Sequence, residues 1–458
     1  MPKLWLTLNA RILPLVMGAV LFSVTACGGG GTGGSNCKTP SSTPSGSSTN
    51  ITIWPAWGGQ ELKAFQDVLA PFEQQTGIKI DITTNRSSSQ LATAVNAGAT
   101  LPDIAPGPTV DKVQDWVCKG VMHPIEDVLG SSFNDYISGT YASITTPPSG
   151  QTTDLYIYVV NGKHYAEMVK TQVKGLFWYN KHVFTDAPPT SFTDLLAIDP
   201  TKYGAQKLFC AGLSSGDASG WPASDQIDNI IMRENSAQFY TDWIQGKVKF
   251  SDSHIKKAYT DYLQEVSDKN VYGGPTTVLS TPFGQAGDPL FKPVGGSKAG
   301  CLFLEQATFI PNFFTQDFPK LNLKAGVDYD FFAHPTIDPQ YDGNVNGFYD
   351  QMAVYNFTPA VQKLMQYLAT AQAQQIWADD GGTLAALKAI TYKDPVYANA
   401  AKIADSAKNL LVTAGDFMPS EMQKAFWKSL LDATKDPSQL DSILQHLDQV
   451  QAAAYQAS

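Results

Sequence analysis

The stretch from residue 51 to residue 105 alternates between two hydrophobic periods, and this limits the chain's architecture more than any other feature. Ile51-Thr52-Ile53-Trp54 reads as a short strand. Leu62, Phe65, Val68, Leu69 and Phe72 then recur at helical spacing until Gly77, where a left-handed cap can end the helix. Ile78, Ile80 and Ile82 alternate as a second strand, residues 90–99 read as a helix, and Leu101-Pro102-Asp103-Ile104 leads into a third strand. Strand–helix–strand–helix–strand order implies a parallel sheet with covering helices. Sheets of this kind bind ligands beyond the carboxyl ends of their strands. Trp57-Gly58-Gly59-Gln60, Asn85-Arg86 and Pro106-Gly107-Pro108 occupy those positions.

Further strands are expected at 155–160, 175–179, 207–210, 329–333 and 351–355. From Thr358, a capping residue followed by Pro359, the pattern is helical almost throughout. Asp436-Pro437 opens a last helix with Leu440, Ile443, Leu444, Leu447 and Val450 inward. The fold class is α/β, with a helical C-terminal third.

The N-terminus is of a different kind. Lys3 and Arg11 precede an apolar run over 12–24, shorter than the roughly 20 residues that span a bilayer and suited to a signal-peptide core. Val24-Thr25-Ala26-Cys27 closes the run and resembles a bacterial lipobox, which makes Cys27 the expected lipidation site and residues 1–26 the removed signal. Residues 28–50 hold almost no apolar side chain and read as a flexible tether with a span of roughly 25 Å. The expected location is outside the cytoplasm, on a membrane anchor.

Cleavage at Cys27 removes two basic residues and takes the net charge from −10 to −12. That acidity excludes a nucleic-acid partner, which needs clustered Lys and Arg. Cys37, Cys118, Cys210 and Cys301 remain, an even number that suits disulfides in an exported chain and allows three connectivities. There is no C-x-x-C, the six histidines are scattered, and no phosphate-cradle motif is present. No metal and no cofactor are expected.

Gly212-Leu213-Ser214-Ser215-Gly216 fits G-x-S-x-G, so a secreted serine hydrolase using Ser214 is one alternative. A nucleophile elbow needs a helix directly after the serine, and Gly216, Gly220 and Pro222 disfavour one there. Carbohydrate recognition fits the residues better. Sugar rings stack their C–H faces on aromatic rings, and their hydroxyls need planar polar partners. Trp57 with Gln60, Trp221 with Asp225, and Phe348-Tyr349 with Asp350 pair such groups in loops, whereas Trp377 follows a helical stripe and reads as core. Only 16% of residues are charged and 11% are aromatic, which agrees with a site for neutral hydroxyls.

Several ordered fragments resemble one family. Residues 51–61, Leu69-Ala70-Pro71-Phe72-Glu73, Leu101-Pro102-Asp103-Ile104, Lys174-Gly175-Leu176-Phe177-Trp178-Tyr179-Asn180-Lys181 and Met365-Gln366-Tyr367-Leu368-Ala369-Thr370 are similar to family-one extracellular solute-binding proteins of ABC importers. Ser219-Gly220-Trp221-Pro222-Ala223-Ser224-Asp225, the run 300–309 and Ala425-Phe426-Trp427 resemble the alpha-glucoside-binding branch.

The resemblance implies a two-lobe, Venus-flytrap fold in which each lobe is a mainly parallel sheet with flanking helices. Residues 51–173 with 335–385 would form one lobe, and 174–334 with 386–458 the other. Trp57, Gly59, Gln60 and Arg86 would face the cleft from the first, and Lys174, Trp221, Asp225, Glu305 and Gln306 from the second, with Asp350 near the crossing. It implies a Cys210–Cys301 disulfide, leaving Cys37 with Cys118. The chain is read as a monomer without catalysis, whose partners are a small carbohydrate and the membrane subunits of an ABC permease. A polyamine or peptide is the alternative ligand.

Overall fold

The structure is a computed structural model of the 458-residue chain, and residues 38, 40–84, 88–141, 158–381 and 383–456 are described. Arg86, Cys27, Cys37 and the first part of the strand expected at 155–160 lie outside the described residues.

The opening pattern folds as its periods dictate. The strand Asn50–Ile53 pairs in parallel with Lys79–Ile82 and, through Ile53, with Ile104. Between the first two runs the helix Gly59–Thr76, which buries Ala64, Phe65, Val68, Leu69 and Phe72. Gly77 ends it at φ 69°, donating its N–H to the Glu73 carbonyl. Only a residue without a Cβ takes that conformation freely.

Two sheets organise the body. Across the larger, the order is Leu384–Ala385, Glu167–Val173, Asn344–Val354, Ile104–Ala105, Asn50–Ile53 and Lys79–Ile82, with Asn409–Val412 added beside the start of Asn344–Val354. The smaller sheet has the order Tyr329–Ala333, Leu176–Asn180, Ala299–Gln306, Ala205–Cys210. Both are mixed rather than mainly parallel. Asn344–Val354 runs antiparallel to Glu167–Val173 and to Ile104–Ala105, and Leu176–Asn180 runs antiparallel to both of its neighbours. The cause is the chain path: it crosses from one sheet to the other and returns, so the returning strands point backwards.

The outward crossing is abrupt. Glu167–Val173 stops, Lys174 and Gly175 turn the chain, and Leu176 starts the second sheet. Gly175 has φ 69°, and a Cβ there would sit 2.3 Å from the Asn229 side-chain oxygen. One core gathers around Ile51, Phe65, Ile104, Leu364 and Trp377, the other around Phe177, Trp178, Trp243, Phe303 and Phe426.

The C-terminal third is helical, as its pattern predicts. It holds Pro359–Leu368, Ala371–Asp380, Pro395–Ser406, Ser420–Lys435 and Leu440–Ala454, broken by two short strands. Thr358 caps the first of these helices, its hydroxyl accepting from Val361 N–H.

Two expectations need correction. The described part of the 28–50 stretch is not free coil: Lys38 N–H donates to the Cys118 carbonyl, Ser45 N–H to the Phe357 carbonyl, and His123 Nδ1 meets the Ser41 carbonyl. A helix also forms near the glycines after Ser214. It spans Trp221–Glu234, with Gly220 at its cap at φ 101°. Pro222 lies in the first turn, where a missing N–H costs no hydrogen bond.

Candidate functional site

Two lysines four residues apart on the outward crossing define the site. Lys170 lies within Glu167–Val173, directly opposite Asp350 in the antiparallel ladder, so the two side chains meet as a cross-strand pair. Its Nζ is 3.1 Å from Asp350 Oδ2 and 2.5 Å from Glu61 Oε1. Glu61 stands in the first turn of Gly59–Thr76, where the helix dipole favours a negative charge. The ammonium also lies 4.8 Å from the Trp57 ring centroid and 5.7 Å from that of Trp377, a cation–π arrangement. Only 1% of Lys170 is exposed. Burial pulls its pKa down, but the charges of Asp350 and Glu61 outweigh it and raise the pKa.

Lys174 repeats the arrangement toward the other side of the cleft. Its Nζ is 2.7 Å from Asp225 Oδ1 and 5.7 Å from the Trp221 ring. Asp225 sits near the N-terminal end of Trp221–Glu234 and is almost wholly buried. Burial pushes its carboxyl up to about 6, with Lys174 pulling the other way. Its second oxygen, Oδ2, has no hydrogen-bond partner. Trp221 packs edge-on against Phe283 and tilts against Phe309. Beside it, Gly415 leaves room for Trp427, because a Cβ there would meet the indole nitrogen at 2.6 Å.

These groups line one cavity of about 310 Å³, with Trp57, Glu61, Lys170 and Asp350 on one wall and Lys174, Trp221, Asp225, Phe283, Phe309, Asp416 and Trp427 on the other. A wider space of about 920 Å³ adjoins it, sharing Trp57, Asp350, Asp416 and Trp427 and reaching the loop Pro106-Gly107-Pro108. Pockets of this size take small organic ligands. The walls offer flat apolar rings beside charges that are already paired. Trp57 serves both cavity and core: its ring packs edge-on against Phe65 at 5.0 Å and Trp377 at 4.9 Å, and its indole N–H has no acceptor.

Of the residues expected at the cleft, the structure brings together Trp57, Lys174, Trp221, Asp225 and Asp350. It does not bring Gly59, Gln60, Glu305 or Gln306 to the cavity wall. Gly59 begins its helix at φ 53° with Gln316 Oε1 against it, and Gln60 is exposed on the same turn while its neighbour Glu61 faces the cavity. Glu305 pairs in register with Phe177, inside the second lobe, and is buried away from the cavity. The side chain of Gln306 folds back so that its oxygen accepts from Ala307 N–H.

The sequence reading missed Lys170, Glu61, Asp416, Phe283 and Phe313. A lysine in the middle of a buried strand is the one available signal, since it needs partners. Trp427 and Phe309 were legible only inside the resemblance.

Cys210 and Cys301 form a disulfide between the parallel neighbours Ala205–Cys210 and Ala299–Gln306, with Cα atoms 5.6 Å apart. Cys118 is also disulfide-bonded. Ser214 lies in an extended segment, its N–H donating to the Thr281 carbonyl and its own carbonyl accepting from Phe283. It therefore does not occupy the strand-to-helix turn of a nucleophile elbow. Among the described residues no helix is long and apolar enough to cross a membrane.

Two lobes joined by crossing strands, with aromatic and ion-paired walls between them, define a ligand-clamping binding protein. Residues 67–405 match the family of bacterial extracellular solute-binding proteins, and the chain belongs to that family. It is 28% identical over 408 residues to an alpha-glucosides-binding periplasmic protein of Rhizobium meliloti, covering 85% of this chain and 84% of the relative. An osmoprotective compounds-binding protein of Synechocystis is 26% identical over 426 residues, covering 90% and 92%. Among solved structures, a bacterial solute receptor with a preference for β-D-galactopyranose superposes with a TM-score of 0.71 at 17% identity, covering 89% of this chain and 99% of the receptor.

Proposed function

We propose that the chain binds a neutral carbohydrate, of alpha-glucoside or related oligosaccharide type, and delivers it to the membrane subunits of an ABC importer without chemistry of its own. One observation carries the reading: indole rings alternate around the cavity with lysines whose charges are already balanced by carboxylates. Stacking suits the C–H faces of a sugar ring, and the ion-paired groups can exchange hydrogen bonds with its hydroxyls. The relative that binds alpha-glucosides supports the same choice of ligand.

The division into lobes of 51–173 with 335–385 and 174–334 with 386–458 is part of this proposal. The separate cores around Phe65 and around Trp178 support a division into two, with Val345, Tyr349 and Leu384 packing into the second core at the crossing. Ligand contacts from both walls would favour the closed arrangement, which the permease then recognises. Cys27 would carry the lipid that holds the chain at the membrane surface.

Titration calorimetry with maltose, trehalose, sucrose, maltotriose and galactose tests the ligand class, with spermidine as the charged control. Binding of at least one sugar without turnover is expected, together with a smaller scattering radius when bound. Binding of spermidine alone would replace the sugar with a polyamine, and no binding of any sugar would overturn the reading.

A further inference from the structure

Behind the cleft, inside the second lobe, three side chains from distant segments meet. Glu265 ends the helix Ser253–Glu265, Glu305 lies on Ala299–Gln306, and His334 follows Tyr329–Ala333. All three are more than nine-tenths buried. A carboxylate oxygen of each glutamate and a ring nitrogen of His334 lie within 4.8 Å of one another. Both oxygens of Glu265, both of Glu305, and His334 Nε2 lack a hydrogen-bond partner.

The histidine is fixed in a definite form. Its Nδ1 is 2.9 Å from the Pro335 carbonyl, an acceptor, so Nδ1 carries the hydrogen and Nε2 presents a lone pair. Phe192 stacks on the ring at 5.3 Å and Phe177 tilts against it at 5.4 Å. A histidine oriented by its second nitrogen on a backbone carbonyl is the usual arrangement of a metal ligand. Burial drives His334 well below its ordinary pKa, which keeps it neutral, and pushes Glu305 up to about 8.

Three buried acceptors facing one another are satisfied by a proton or by a cation between them. Arg233 and the Asn229 amide are near and lower the pKa of Glu305, but the guanidinium donates to the His334 carbonyl and to Asn229, and the Asn229 amide donates to the Asp225 carbonyl. We infer that Glu265, Glu305 and His334 form a site for a divalent transition-metal ion, taken by Zn²⁺, which ties the helix 253–265 to two strands of the second sheet. One imidazole and two carboxylates are donors that zinc accepts, and the second oxygen of one glutamate would complete four-coordination. Bonds of about 2.0–2.2 Å require the three groups to draw in by about half an ångström. The site is enclosed, so the ion would enter as the chain folds. Its binding displaces whatever protons the two carboxyls hold, and these leave to solvent.

The test uses the full chain, unfolded in chelator and refolded with or without Zn²⁺. One zinc per chain is expected after dialysis. Binding should be at least about 10-fold weaker in Glu265→Gln and in Glu305→Gln, and the binding enthalpy should vary with buffer ionisation because protons are released. Circular dichroism and urea unfolding check that each variant folds, and His334→Gln gives an independent third arm. Co²⁺ in place of zinc should show ligand-field absorption that His334→Gln changes. A chain refolded in zinc that holds none would overturn the inference, as would variants that keep zinc at undiminished affinity. In either case, an infrared band of protonated carboxylic acid would identify shared protons as the occupant. Sugar titration of the same samples is independent of this outcome, so the two proposals fail separately.

Discussion

The cleft and the interior of the second lobe bury acids in opposite ways. In the cleft three carboxylates have a lysine beside them: Asp225 has Lys174, and Asp350 and Glu61 share Lys170. Behind it, Glu265 and Glu305 face each other and His334, with no lysine among them. A buried ion pair gains little net stability over an apolar pair of the same shape, but losing one partner is costly. The cleft thus keeps charges that a stable core would omit, in the place where a ligand can use them. The interior cluster is almost wholly buried and lines neither of the two cavities described, which is why a cation and not a solute is the occupant argued for it.

The largest effect should come from breaking a cleft pair. Lys174 and Asp225 are both nearly inaccessible, so Lys174→Met should cost about 3–5 kcal/mol in urea unfolding. Adding Asp225→Leu should recover most of that loss, because the orphaned carboxylate goes with its partner. If the double variant is no more stable than the single one, the pair is not the reason for the cost.

A pH series sharpens the same contrast. The Asp225 carboxyl is pushed from 3.8 up to about 6 by burial, against the opposing charge of Lys174. Between about pH 4 and 6 the folded chain holds a proton there that the unfolded chain has lost. Stability from this group is therefore greatest at the acid end and falls as pH rises through that window, by up to about 3 kcal/mol. Asp225→Asn should remove this part of the slope, measured as the difference between variant and wild-type unfolding at each pH. Parallel profiles would mean that Lys174 holds Asp225 ionised throughout.

Next in size is the ligand itself. Trp221 is half-buried against Phe283 and Phe309, with its remaining face on the cavity. Trp221→Ala should weaken sugar binding by about 1–2 kcal/mol, roughly 5- to 30-fold in Kd. Unchanged affinity would make that ring structural.

Legibility in the sequence followed the range of the physical cause. Period and capping are local, so the helix 59–76, its Gly77 cap and the Thr358 cap could be read directly. The crossing strand Glu167–Val173 could not, because it is buried along its whole length and shows no alternation. The run Ala299–Gln306 is buried in the same way, and continuous burial erases the period-2 signal. Trp57, Trp221, Asp225, Lys174 and Asp350 combined a resemblance with suitable chemistry. Lys170 and Glu61 lie 109 positions apart, and nothing local pairs them. The misplacement of Glu305 has the same origin: position in a motif does not say which face of a strand points to the cleft. His334, one of six scattered histidines, reaches two glutamates only through the fold.

The smallest effect concerns the outer edge of the cleft. There Thr109, at the start of the helix Val110–Cys118, meets Ser420, at the start of Ser420–Lys435, hydroxyl to hydroxyl at 2.7 Å. Ser420 also donates to Asp111 Oδ1 at 2.7 Å. Burial pushes the Asp111 carboxyl up, but the hydrogen bonds from Ser420 and Thr109 and the charge of Lys112 hold it below its ordinary value. Val113 and Trp116 of the first helix belong to one core, and Met422 and Phe426 of the second to another. The contact therefore joins two separately packed cores, and on the proposed closure mechanism it belongs to the drawn-together arrangement. Ser420→Ala removes about 0.5–1.5 kcal/mol of hydrogen bonding, which on the closure mechanism is lost from the closed arrangement alone. Sugar affinity should fall roughly 2- to 10-fold, while urea stability of the ligand-free chain changes less. An equal loss in both measurements would show that Ser420 supports the fold rather than the closure.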